Sequence, residues 1–369
     1  MTPQLEIILL ACVVASACAI PGVFLVLRKV ALMSDAISHA ILLGIVLMFF
    51  LIKDLHSPLL IISAALTGLA TVYLTELIIS SKLIKKDAAI GLIFPVFFSL
   101  AVILINRFAN DIHLDQDAIL LGELAFAPFN RLLIGSMDLG PLSLWIMLAI
   151  LLLNSLFVFV YYKELKLVTF DPALAATLGF TPALMHYGLM SCVSITAVGA
   201  FDAVGSILVV ALIIAPPSTA YLLTRRISHM LGLSVLFGCL SAISGYGLAM
   251  IIDGSIAGAM ATMTGVFFGL ALGFSPNHGL LMKYLTYKHN QVDFSAKLLM
   301  VQLIEHEGTI TEASENTYTN LITHMNWSES FAKHVTSYSI EKGYITREKD
   351  RFYLTVLGRE TAKLAMQMS

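Results

Sequence analysis

The chain has 369 residues, of which 58% are hydrophobic and 12% are charged, and its formal net charge at pH 7 is −2. Because soluble domains carry about 25% charged residues, this composition excludes an ordinary soluble enzyme and indicates an integral membrane protein. The net charge averages two very different regions, so it identifies no partner by itself.

Apolar runs of membrane-spanning length recur over the first three quarters of the chain. The first run lacks a small-residue cleavage pattern, so we expect a retained span and not a signal peptide. Basic residues cluster after every odd-numbered run, and the positive-inside rule places these clusters and the C-terminus in the cytoplasm. The sequence therefore predicts an all-α polytopic membrane protein with about nine spans, at 5–27, 31–52, 58–81, 88–106, 141–161, 183–201, 203–224, 229–252 and 255–275.

The second apolar run carries a carboxylate and an imidazole, Asp35 and His39, with Ser38 beside them. Four residues apart on a helix, the two side chains lie on one face, one turn from each other, and can share one cation. Ionisable groups at membrane depth are costly and mark ion or proton routes. A carboxylate oxygen with an imidazole nitrogen suits Mn²⁺, Zn²⁺ or Fe²⁺. The alternative is a hydrogen-bonded pair that joins two helices, and Glu76 is a second pathway candidate.

Several runs contain prolines that interrupt helices or glycines that allow close packing between helices. Pro95 in the fourth run and the Pro216 and Pro217 pair in the seventh each remove a backbone donor, which predicts kinks or breaks. Three glycines in the ninth run recur every four residues and predict close helix packing, either within the chain or between subunits. They are Gly265, Gly269 and Gly273.

The segment between the fourth and fifth runs, residues 107–140, is mixed in character. It carries Asp111, His113 and Asp115, which the predicted topology places on the outer side. Such an acidic, histidine-bearing segment can receive a cation from a donor protein. An ordinary solvated loop is the alternative.

The loop after the fifth run contains a short helix with the sequence DPALAATLG. Asp171 and Pro172 are typical of a helix start, and Gly179 is typical of a helix end. We expect this helix to lie on the cytoplasmic face with its small residues outward, where a partner ATPase can bind it. A connecting amphipathic helix is the alternative.

The composition changes near residue 290, where charged residues become frequent. Three predicted helices, a hairpin turning at 348–351 and a last helix follow in the order of a winged helix. We therefore divide the chain into a membrane domain, 1–285, and a small α+β winged-helix-like cytoplasmic domain, 293–369. From Asp293 onward there are eight Lys and Arg against ten Asp and Glu. DNA binding needs a basic face, so a regulatory or protein-contact role is favoured over DNA binding.

Four separated stretches resemble the permease subunits of the zinc, manganese and iron ABC importer family. The resemblance covers about residues 5–275 and is carried by RKVALMSDAISHAILLG at 28–44, DAAIGLIF at 87–94, DPALAATLGF at 171–180 and the stretch 203–226. It implies a type II ABC importer-like fold in which Asp35 and His39 form the cation site. It also implies that Asp171, Pro172, Ala175 and Gly179 belong to a coupling helix that docks on the ATPase.

The resemblance further implies a multi-pass protein of the bacterial inner membrane that works with two ATPase subunits, a second permease and an extracytoplasmic metal-binding protein. The tail resembles the extensions of some family members, which are similar to metal-responsive repressors.

The sequence has no G-x-x-x-x-G-K-[ST] loop for nucleotide phosphates. We therefore expect a permease that is not itself an enzyme, with ATP hydrolysed on another chain and the metal as substrate, not as a bound cofactor.

Two other classes stay open. One is a secondary, ion-coupled metal transporter whose C-terminal domain is a DNA-binding, metal-responsive regulator. The other is a membrane-embedded metalloenzyme, although the chain has no H-E-x-x-H motif.

Overall fold

The structure is a computed structural model that describes residues 2–53, 57, 59–108, 124–134, 137–275, 279–309 and 312–367. Its internal contacts divide the chain into two units, Met1–His278 and Gly279–Ser369.

The first unit is a bundle of long apolar helices, with a short 3₁₀ helix and a hairpin before α5. Within the described residues, nine helical segments are long and apolar enough to cross a membrane, which confirms the predicted spans. The elements are α1 (Pro3–Leu27), α2 (Leu32–Ile52), α3 (Leu59–Ser80), α4 (Lys86–Phe108), the 3₁₀ helix (Leu124–Phe129), β1 (Arg131–Ile134), β2 (Met137–Pro141), α5 (Leu142–Val160), α6 (Tyr162–Phe170), α7 (Pro172–Thr177), α8 (Pro182–Leu223), α9 (Ile227–Ile252) and α10 (Ile256–Phe274).

Helix α1 is the central element of this bundle, because α5, α8 and α9 all pack against it. Its side chains Val14, Phe24 and Leu25 are fully buried. Helix α2 packs against α3, α4 and α8, so the helix that carries Asp35 and His39 is held on three sides.

The hairpin of β1 and β2 is fastened to the start of α1 by one arginine. Arg131 Nη2 lies 3.1 Å from Glu6 Oε1, and its Nε lies 2.7 Å from Asp138 Oδ2. The same arginine contact holds the pKa of Asp138 below its ordinary value. The hairpin was not predicted, since its strands have only four and five residues.

Of the two outcomes predicted at the prolines, a break is not observed, and a kink stays a prediction. Helix α4 continues through Pro95, and α8 continues through Pro216 and Pro217. Within α8 the non-helical backbone lies at Gly205, with φ 78° and ψ 162°, close to the predicted boundary between the sixth and seventh spans. A glycine adopts this positive φ without the steric penalty that a side chain brings. The non-helical conformation therefore costs less free energy at Gly205 than at a residue with a side chain.

Pro217 has no N–H to donate to the Ile213 carbonyl four residues earlier in α8. This carbonyl lies against Gly22 of α1. A Cβ built on Gly22 would overlap the Ile213 carbonyl oxygen and touch the ring of Pro217. The absence of a side chain on Gly22 thus lets α1 and α8 approach closely.

We therefore predict that Gly22→Ala destabilises the bundle, by about 1–3 kcal/mol as for other overpacked cores. The measurement is the temperature at which the detergent-solubilised protein loses its monodisperse elution peak. Gly247→Ala in α9 is the matched control, because among the described residues no atom lies within 4 Å of a Cβ at that position. Equal melting temperatures for the two variants would contradict the prediction.

The glycine stripe of α10 has no close partner in the part of the chain that the structure describes. At all three of its positions a Cβ would meet no described atom within 4 Å. The described residues therefore show no intramolecular packing on this stripe, and both predicted packing modes stay predictions. The positions are Gly265, Gly269 and Gly273.

The second unit has its own small core, which includes Leu299, Leu321, Val335 and Phe352. Residues 286–292, the predicted interval between domains, lie within its first helix, so the unit begins earlier than residue 293. The helices, hairpin and last helix follow in the expected order, while the winged-helix assignment stays a prediction. The elements are α11 (Leu280–His306), α12 (Glu312–Glu315), α13 (Tyr318–Met325), α14 (Glu329–Glu341), β3 (Ile345–Glu348), β4 (Arg351–Leu354) and α15 (Val356–Gln367).

Candidate functional site

Asp35 and His39 lie on one face of α2, as their spacing predicts. His39 Nε2 is 3.4 Å from Asp35 Oδ1, and the side chains are 28% and 34% exposed, respectively. Neither side chain is fully buried, so a carboxylate oxygen and an imidazole nitrogen are accessible to a cation from one side of the helix. The two atoms are close enough to contact the same cation.

Two phenylalanines of α4 fix the position of the imidazole. The ring centroids of Phe94 and Phe98 each lie 5.7 Å from that of His39, with Phe94 stacked and Phe98 edge-on. Ser38, which the sequence placed beside the pair, is buried and donates its hydroxyl hydrogen bond to the Ser34 carbonyl of its own helix. It therefore faces the core and not the pair.

The contact between Asp35 and His39 lies within a single helix, so it does not itself join α2 to a neighbour. Within the described ranges, no group of three or more His, Cys, Asp and Glu side chains could hold a metal ion. The pair thus supplies two ligands, fewer than the four that a structural zinc site uses.

Glu76 lies in a different cluster, at the end of α3. Its Oε1 is 2.7 Å from His186 Nε2 in the first turns of α8, although the contact is not aligned as a hydrogen bond. On the other side of the imidazole, Arg28 Nη1 is 3.5 Å from His186 Nδ1, and Arg28 Nε donates to Thr169 Oγ1 of α6 at 3.1 Å.

These side chains line a cavity of about 560 Å³. Met33 of α2, Lys86 of α4 and Pro172 of α7 also line it. Burial lowers the pKa of the Arg28 guanidinium. Sequence reasoning counted Arg28 only as a topology signal and did not single out His186, because only the fold brings these distant segments together.

Helix α7 has the predicted ends. The Asp171 carboxylate accepts a hydrogen bond from the Leu174 N–H at 2.9 Å and caps the helix, with Pro172 following it. Gly179, with φ 87°, stands in the left-handed conformation just after it.

The expected outward orientation of the small residues of α7 is wrong for Ala175, which is fully buried, whereas Ala173 and Ala176 are exposed. Ala175 belongs to the same apolar cluster as Leu165 of α6. Leu174 and the C-cap residue Leu178 are also exposed, at 46% and 60%. A small residue is needed on the inner face because α7 packs against α6 there.

The outer-side candidates Asp111, His113 and Asp115 lie at 109–123, outside the described residues. Their proposed contact with a cation stays a prediction from sequence.

Comparisons with known proteins give a consistent result. A model of the ABC 3 transport family matches residues 4–275. The zinc transport system membrane protein TroD of Treponema pallidum (strain Nichols) is 44% identical over 365 residues, or 99% of both chains. The manganese transport system membrane protein MntD of Bacillus subtilis (strain 168) is 45% identical over 272 residues, 74% of this chain and 92% of MntD.

A solved chain of PsaBC from Streptococcus pneumoniae in complex with Fab aligns with a TM-score of 0.64 at 28% identity, covering 78% of this chain and 96% of that chain. The family match spans the membrane unit, where the four motifs lie, and the TroD alignment takes in the second unit as well. The chain therefore belongs to the ABC 3 transport family, which confirms the resemblance found in its motifs.

Proposed function

We propose that this chain is the transmembrane subunit of an ATP-driven importer of divalent transition-metal ions, Mn²⁺, Zn²⁺ or Fe²⁺. The observation that carries the proposal is the Asp35 and His39 pair, partly exposed and 3.4 Å apart on a spanning helix of an ABC 3 family member. An ionisable pair at membrane depth is expensive unless it serves an ion route.

The ligand chemistry supports this class of substrate. An oxygen ligand with an imidazole nitrogen suits manganese, zinc and ferrous iron and disfavours the soft ion Cu(I). Two ligands per chain fit a transit site, because an ion that binds too strongly does not leave. A second permease, identical or related, would bring another such pair across a twofold axis. The zinc and manganese systems named for TroD and MntD support the same substrate class.

The energy source lies on other chains in this proposal. The sequence lacks a P-loop, so two ATPase subunits bind ATP and drive α7, the proposed coupling helix. An extracytoplasmic metal-binding protein delivers the ion, with Asp111, His113 and Asp115 as proposed outer contacts. The membrane is the bacterial cytoplasmic (inner) membrane, with the C-terminus in the cytoplasm, as the basic clusters favour.

The second unit has a regulatory or protein-contact role in this proposal. Its excess of acidic residues disfavours DNA binding. Membership of a family of ABC permeases argues against the alternative of a secondary transporter.

The test is metal accumulation in cells that express this chain with and without an ATPase chain. We expect elemental analysis to find extra manganese, zinc or iron only when both are present, and we expect the ATPase to co-purify with the permease. A purified single chain that moves metal ions without ATP would contradict the proposal.

A further inference from the structure

The Arg28, His186 and Glu76 cluster joins the parts of the bundle that an importer must move together. Arg28 directly follows α1, His186 lies near the start of α8, and Glu76 lies in the last turns of α3. Thr169, bonded to Arg28, is in α6, two residues before the Asp171 cap of α7. One unbroken series of contacts thus runs from the α6 and α7 segment to three other helices.

The cluster resembles the Asp35 and His39 pair in composition but not in electrostatics. A carboxylate and an imidazole are again in contact, yet Arg28 and Lys86 line the same cavity and repel a cation. Arginine can only donate, so His186 Nδ1 accepts from Arg28 and the ring proton lies on Nε2, towards Glu76. With Nδ1 accepting from Arg28 and the proton on Nε2, neither ring nitrogen offers a free lone pair to a metal.

The position of Arg28 connects the cluster to the start of α2, the helix that carries Asp35 and His39. Only residues 28–31 separate α1 from α2, and Met33, which lines the cavity, lies two residues before Asp35. A displacement of α6 therefore pulls on Arg28 through Thr169 and moves the start of the helix that carries the cation pair.

The Arg28 guanidinium has one donor nitrogen that could form a different hydrogen bond in a second conformation. Arg28 Nη2 is buried and makes no hydrogen bond with any described residue. This donor is therefore available to an acceptor on α6 or α8 in a second arrangement. Coupling between sites needs an element with two such arrangements.

We propose that Arg28, His186 and Glu76 are positioning residues that transmit the movement of α7 to the helix carrying Asp35 and His39. This inference rests on the proposed function. The three residues do not bind the ion. They couple ATP hydrolysis to ion movement.

The experiment uses the assembled transporter in proteoliposomes, with Mn²⁺ or Zn²⁺ as the probe, and measures the ions moved per ATP hydrolysed. For Arg28→Gln, His186→Gln and Glu76→Gln we expect this ratio to fall at least about fivefold, the lower end of couplings between linked sites, while ATP hydrolysis continues. Arg28→Lys keeps the positive charge but lacks the planar guanidinium that contacts both Thr169 and His186. Its ratio of ions moved per ATP should lie between those of the unmodified transporter and Arg28→Gln.

Ser80→Ala is the matched control, because Ser80 lines the same cavity but its hydroxyl bonds only the Leu77 carbonyl of its own helix. The double variant Arg28→Gln with Glu76→Gln should be no worse than either single variant, since one missing link already breaks the series. If Arg28→Gln fails to assemble, Glu76→Gln, which keeps the side-chain size, decides the matter.

An unchanged ratio in these variants, or losses that simply add, would overturn the inference. Asp35→Ala separates it from the proposed function. If Asp35→Ala abolishes uptake while the cluster variants keep the normal ratio, only the positioning network is wrong. If Asp35→Ala transports normally, the proposed cation site itself is wrong.

Discussion

Asp35→Ala and His39→Ala are each expected to abolish metal uptake at a normal protein level. Each variant removes one of the two proposed ligands, which lie 3.4 Å apart on α2. Loss of groups that merely support metal ligands already costs about 10–100-fold, so removing a ligand should reduce uptake by at least that factor. The measurement is uptake of labelled Mn²⁺ or Zn²⁺ by cells that express the complete transporter.

Ser38→Ala is the matched control for this prediction. It lies between the two residues in sequence, is buried, and bonds only within α2, so its loss should leave uptake nearly unchanged. Asp35→Asn refines the test because it keeps the side-chain shape and removes the charge. Normal uptake in the alanine variants would mean that the pair has a structural role.

The parts of this molecule that were predictable from sequence are those set by local pattern. Long apolar runs identify spans because an unsatisfied backbone is intolerable in lipid, and helical periodicity alone places Asp35 beside His39. The division of α8 was predicted at residue 202, between the sixth and seventh runs, and the structure places the non-helical residue at Gly205. Its exact position was missed because a single glycine gives a weaker local signal than proline.

Other features depend on tertiary structure, which local pattern does not encode. Arg28 and His186 are 158 positions apart in sequence, so no local pattern links them to each other or to Glu76. The inward orientation of Ala175 was missed for a different reason. Helix α7 has six residues, fewer than two full turns, which is too short for periodicity to define its buried face.

That corrected orientation changes which residues should contact the ATPase. With Ala175 buried, the large apolar side chains exposed on α7 and at its C-cap are Leu174 and Leu178. Exposed leucines on a short capped helix suit insertion into an apolar groove of a partner, as amphipathic helices do in other complexes. The surface lies on the element that our proposal assigns to coupling.

We therefore predict that Leu174→Asp and Leu178→Asp separate the permease from its ATPase. A charge placed in an apolar interface must be desolvated without a partner, and truncation of central interface residues alone costs about 2 kcal/mol or more. That is about a 30-fold loss of affinity per residue. The double variant should yield permease free of ATPase on purification, and metal uptake should be lost.

Leu174→Met and Leu178→Met are the controls, since they keep an apolar side chain of similar volume and should keep both the ATPase and the uptake. Asp171→Ala tests the cap independently. It removes the hydrogen bond to Leu174 N–H, should weaken α7 by about 1 kcal/mol and should reduce coupling only partly. Full ATPase recovery with both aspartates in place would show that the ATPase docks elsewhere on the permease.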